Sequence, residues 1–182
     1  MGREDIDPDS SRKFGRTQLL QAAEKGYGGI VKLQLGQRNV DPDIPDMSNG
    51  QTPLSWAAEN GHEGIVRLLL ERKDVNPNCS DTCRRTPLLL AAEYGHEGVV
   101  KLQLGRKNVH PDTIGKSYGR TPLSWAAGKG HEGTVKLLLG RKEVNSNTCD
   151  SRCGRTPLEP ATNNRPDRIV ALLQARCSRP IQ

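Results

Sequence analysis

Three histidines and two cysteine pairs are the residues of this 182-residue chain whose type and spacing could do chemistry. His62, His96 and His131 each follow a glycine at the same register, and imidazoles that recur in this way could ligate a metal or relay a proton. Cys79 with Cys83, and Cys149 with Cys153, form two Cys-x-x-x-Cys pairs. Four thiolates on one ion would make a zinc site, whereas a single pair could close a hairpin disulfide. No Ser-His-acid set, phosphate-binding Gly loop or paired carboxylate stands beside them. Whether either group can assemble depends on the elements that carry it.

Those elements are copies of one unit. A motif beginning at Thr17, Thr52, Thr86, Thr121 and Thr156 returns at intervals of 35, 34, 35 and 35 residues, and almost nothing lies outside it. In the second copy, Thr52 is suited to cap a helix, Pro53 falls at the first helical position where its missing N–H costs nothing, and Gly61 can take the left-handed conformation that ends the helix. That makes a first helix of roughly eight residues. A second helix is expected from about Glu63 to Arg72, with Ile65, Val66, Leu68 and Leu69 as an apolar stripe that a neighbouring copy must cover. Ala57-Ala58 allows close approach of the first helix, and Asp74-Val75-Asn76-Pro77-Asn78 reads as a turn leading into an extended finger.

This unit disposes of the metal chemistry. Stacked helix pairs lie roughly 8–10 Å apart, whereas ligands must each sit about 2 Å from their ion. One histidine per repeat therefore cannot share a site, and all three read as structural. The cysteine pairs fall two repeats apart, which forbids a common zinc. Five cysteines, an odd number, do not look like the framework of a secreted scaffold, so reduced thiols are favoured over hairpin disulfides. The reading is of a protein that is not an enzyme, with no catalytic residue, metal or cofactor.

Thr-Pro-Leu opening the first helix, then Ala-Ala, Gly-His and a Val-Val-x-Leu-Leu-Leu-like second helix resembles the ankyrin repeat. The likeness implies an all-α ankyrin-repeat solenoid of helix-turn-helix units with extended finger loops. The chain then forms one domain over 1–182, with five repeats at about 6–39, 40–74, 75–108, 109–143 and 144–177. Because Ile6-Asp7-Pro8-Asp9 reads as part of a finger, the chain is expected to begin inside an array. The resemblance also implies that the recurring His bonds backbone of adjoining turns. It makes Thr52, Pro53, His62, Thr86, Pro87, His96, Thr121, Pro122 and His131 framework. The run Gly-Arg-Thr-Pro-Leu-Ser-Trp-Ala-Ala is similar to ankyrin arrays of fungal proteins, including the repeats of NACHT-type (NLR-like) receptors.

The first and last copies depart from the motif and read as caps: Gln18 replaces Pro, Tyr27 replaces His, and Pro160 and Arg165-Pro166 interrupt the fifth. Copies two and four carry Trp56 and Trp125, while copies one and three carry Gln34 and Gln103 inside the apolar stripe. That alternation suggests each indole packing on the preceding copy's Gln; Trp as filler with Gln turned to solvent is the alternative.

Twenty-seven Lys and Arg against 21 acids leave a net charge of +6, a modest bias toward acidic partners. No signal-peptide core and no apolar run of about 20 residues is present, so an intracellular, cytoplasmic protein is expected, with the nucleus also open. Aligning the copies separates framework from variable positions, and in ankyrin proteins the variable ones line a concave groove. Here the candidates are Phe14, Arg16, Asn60, Arg85, Tyr94, Tyr118, Arg120, Lys129 and Arg155, because aromatic and Arg side chains anchor interfaces. The expected partner of this monomer is another protein with an acidic or mixed surface. Nucleic acid or another polyanion on the basic fingers is the alternative reading, and no membrane is involved.

Overall fold

The computed structural model describes residues 15–116, 118–151, 154–163 and 167–177. Ten helices run along them as five antiparallel pairs. The first helices are α1 (Gln18–Lys25), α3 (Pro53–Glu59), α5 (Pro87–Tyr94), α7 (Pro122–Lys129) and α9 (Leu158–Asn163). Each packs on its second helix: α2 (Gly28–Leu35), α4 (Glu63–Glu71), α6 (Glu97–Leu104), α8 (Glu132–Leu139) and α10 (Asp167–Cys177). Like helices stack on like, giving a two-layered solenoid with one continuous core.

The capping logic holds at the starts of α1, α3, α5 and α7. The hydroxyls of Thr17, Thr52, Thr86 and Thr121 accept the backbone N–H groups of Leu20, Ser55, Leu89 and Ser124, all at 3.2 Å. Pro53, Pro87 and Pro122 follow at the first helical position. The turn between the paired helices needs glycine for two reasons, seen at Gly61. Its φ is 71°, and a Cβ there would lie 2.6 Å from the His96 ring of the next repeat. That ring reaches back so that its Nε2 donates to the carbonyl of Glu59 at 2.9 Å. His62 and His131 do the same to Glu24 and Glu93, at 3.1 and 3.0 Å. The recurring imidazole therefore ties the end of one first helix to the turn of the following repeat.

Ile65, Val66 and Leu69 are buried as the stripe requires; Leu70 closes it and Leu68 is only half-buried. Val40, Val75, Val109 and Val144, one at each finger base, also enter the core. A second ladder stitches the outer layer. Arg72 donates to Leu35 O at 3.0 Å, Arg106 to Leu70 O, Arg141 to Leu104 O at 2.7 Å, and Arg176 to Arg141 O at 3.2 Å. Arg72, Arg106 and Arg141 thus satisfy the last carbonyl of the preceding second helix, and Arg176 a carbonyl just beyond α8.

The expected Trp–Gln packing is not the arrangement adopted. The Trp56 indole turns to the finger side, where its N–H donates to Asp46 Oδ2 at 2.8 Å and Arg16 lies 4.8 Å from the ring centroid. Gln34 instead donates to Gln18 Oε1 of its own repeat at 2.9 Å. In the third repeat Pro87 occupies the place of Gln18, and both amide atoms of buried Gln103 are left without a partner. Gln at these positions therefore points inward, not to solvent.

Candidate binding surface

The buried pairs Ala57-Ala58, Ala91-Ala92 and Ala126-Ala127 let the first helices approach one another more closely than the second helices do. The stack therefore bends toward the first helices, and the fingers leading into them extend that concave side.

Buried carboxylates shape the fingers. Asp46 Oδ1 accepts the N–H groups of Ser48, Asn49 and Gly50 at 3.0, 2.7 and 3.1 Å, and Asp81 Oδ1 accepts those of Cys83 and Arg85 at 2.9 and 2.8 Å. Burial alone would raise the Asp46 carboxyl; the Asn49 N–H, the Trp56 indole, Arg16 and the Ser48 N–H outweigh it and hold the group below its ordinary value. Neighbouring fingertips are joined directly, Thr82 N to Asn49 O at 2.9 Å and Lys116 N to Cys83 O at 2.7 Å. The third finger is one residue shorter, and Arg84 (φ 58°) stands at its left-handed position, where Gly50, Gly119 and Gly154 stand in other fingers.

In the first three repeats the residue before Thr faces an acid seven positions after that Thr. Arg16 Nη1 bonds Glu24 at 2.8 Å, and Gln51 donates to Glu59. Arg85 pairs with Asp81 of its own finger at 2.7 Å, with Glu93 near enough to be felt electrostatically. Burial pushes the Glu93 carboxyl up, partly offset by Arg85 and Lys129. The fourth repeat breaks the pattern, because Gly128 stands where the first three have Glu24, Glu59 and Glu93. Arg120 donates no hydrogen bond to a described residue, and its nearest carboxylate, Asp150, is 3.7 Å away. It stacks instead against Tyr118 and Trp125, 5.4 and 5.0 Å from the ring centroids, and those rings meet edge-to-face at 5.6 Å.

Tyr118 and Arg120 therefore form one cluster with Trp125. Tyr94, in the adjoining repeat, lies 6.3 Å from His96 between centroids; it is 48% exposed and Tyr118 40%. Lys129 and Arg155 are exposed on the same side. Arg16 sits at the other end of the strip against Trp56 and Asp46, and Asn60 closes α3 by donating to Trp56 O at 2.9 Å. Phe14 lies outside the described residues, as does Cys153. Cys79, Cys83 and Cys149 are free thiols, and burial, then Asp43 and Asp41, push the Cys79 thiol up. Among the described residues no cluster of His, Cys, Asp or Glu could hold a metal ion.

A family model of ankyrin repeats, in three copies, matches residues 19–113 and again 88–179. The chain belongs to the ankyrin-repeat family. Ankyrin repeats are in general protein-protein interaction modules, which suits a concave strip of aromatic and basic side chains on a stiff framework. No curated protein matches the chain. Among the described residues no helix is long and apolar enough to cross a membrane.

Sequence reasoning singled out the strip but missed two parts of it. The tryptophans were assigned to the inter-repeat core rather than to the fingers, and the fingertip acids Asp46, Asp81 and Asp150 were not singled out. Their recurrence five or six residues before Thr was the available signal.

Proposed function

We propose that this chain is a non-catalytic scaffold that holds another protein, of acidic or mixed surface, on its concave strip, acting as an intracellular monomer. The observation that carries this reading is the exposure of Tyr94 and Tyr118 on adjoining repeats, beside Arg120 and Lys129, on fingers and helices that are themselves tied down. Preorganised aromatic and Arg side chains bind with little ordering cost. The Gly-Arg-Thr-Pro-Leu-Ser-Trp-Ala-Ala run supports placing the module at the recognition end of a larger, fungal receptor-like protein.

A basic surface alone would also suit a polyanion. Glu24, Glu59 and Glu93, however, lie in one row along the same face and would repel a continuous phosphate backbone, which favours polypeptide. The test is selection of displayed peptides on the intact chain. Selected peptides are expected to lose about tenfold in affinity on Tyr94→Ala/Tyr118→Ala and little on Arg67→Ala/Lys101→Ala, whose side chains lie on the second-helix layer. The reverse pattern would place the interaction on the convex side.

A further inference from the structure

The concave face is charged unevenly, and the unevenness comes from two glycines. Gly115 stands at the third inter-repeat fingertip, where the other described fingers carry Asp46, Asp81 and Asp150. Gly128 stands on α7, where α1, α3 and α5 carry Glu24, Glu59 and Glu93. Both absences fall around Arg85 and Arg120. Arg85, whose Cγ would be 3.9 Å from a Cβ at Gly115, turns back to its own Asp81. Arg120 has only Asp150 of the next finger, 3.7 Å from its Nε and not hydrogen-bonded to it. That Nε is buried without a hydrogen bond, two rings flank the guanidinium, and the side chain remains 23% exposed. Lys129, Lys116 and Arg155 lie exposed around it.

A guanidinium flanked by two rings and lacking a hydrogen-bonded carboxylate is prepared to receive one. We propose that Arg120, framed by Tyr118 and Trp125, is the receiving site for an Asp or Glu side chain of the bound polypeptide, which supplies in trans the acid that Gly128 lacks. The partner segment accordingly lies with its acidic part over the fourth and fifth repeats and a neutral or basic part over the first three, where Glu24, Glu59 and Glu93 line the row. This inference rests on the concave strip being the binding face.

The probe is a short fluorescein-labelled peptide of alternating Glu and Ser, titrated against the intact chain by anisotropy, beside a Gln/Ser peptide and an oligothymidylate of the same length. The Glu/Ser peptide is expected to bind more tightly than either control. Arg120→Gln should weaken it about tenfold, the loss of one charge-assisted contact. Gly128→Glu, which leaves Arg120 in place and favours the helix, should do the same by supplying the acid in cis. Arg67→Gln removes an equal charge from the convex face and should change affinity less than about twofold. Binding that survives both Arg120→Gln and Gly128→Glu but falls on Tyr94→Ala overturns the carboxylate site and leaves the strip standing. Binding indifferent to all three, tighter binding of oligothymidylate, or equal binding of the Gln/Ser peptide overturns the site as well.

Discussion

Replacing Gln103 with Leu should make the protein more stable, although the residue is wholly enclosed. Gln103 is 0% exposed, and neither its Nε2 nor its Oε1 has a hydrogen-bond partner. The same position in the second and fourth repeats is Leu69 and Leu138, both buried, so the site is shaped for Leu. An unpaired buried amide costs about 1–3 kcal/mol, and a swap that nearly conserves volume costs little in packing. The expected gain is about 2 kcal/mol, equivalent to about 4–8 °C in a chain of this size. Gln34→Leu is the matched control, because Gln34 Nε2 donates to Gln18 at 2.9 Å and only its Oε1 lacks a partner. There a lost hydrogen bond offsets the added apolar burial, and the change should stay within about 0.5 kcal/mol. Guanidinium denaturation followed by circular dichroism reads both. A loss of stability in Gln103→Leu, or equal gains in the two variants, would refute the reasoning from the unpaired amide.

Two further predictions concern the fingers. Arg84→Gly should stabilise by about 1 kcal/mol, since an L-residue held at positive φ is strained by roughly that amount and glycine is not; the same denaturation curves check it. Asp46, whose carboxyl is held below its ordinary value of 3.8, contributes stability that is complete above the unfolded value and lost as pH falls through the lower folded one. Acid unfolding should therefore lose part of its steepness in Asp46→Asn, read as thermal midpoint against pH; an unchanged acid limb would show that the carboxylate's partners do not act through its charge.

The framework was legible because each of its features is local. Thr caps its own helix, Pro sits one residue on, and the turn glycine and histidine are adjacent, so the three middle copies repeat the same short-range physics. The long side chains were harder to read, because each can choose among partners in its own repeat and the next finger, and the choice depends on single exchanges there. Arg16 finds Glu24 and, at 3.8 Å, Asp46; Arg85 falls back on Asp81; and Arg120 is left with the aromatic rings and, at 3.7 Å, Asp150, although all three precede Thr in the same way. The tryptophans follow the same rule: Trp56 turns to the fingers because Asp46 waits there as an acceptor. The ladder from Arg72 to Arg176 recurs 20 residues after every Thr except the first and was visible as a pattern, but its acceptors are main-chain carbonyls that no side-chain motif announces.

The central claim is that a partner polypeptide is held on the fingers and first helices. Hydrogen–deuterium exchange of the intact chain, with and without a selected peptide, tests it most directly. The account predicts added protection at fingers 82–85 and 115–120 and in α5 and α7, with α4, α6 and α8 unchanged. Protection confined to the second helices would contradict it.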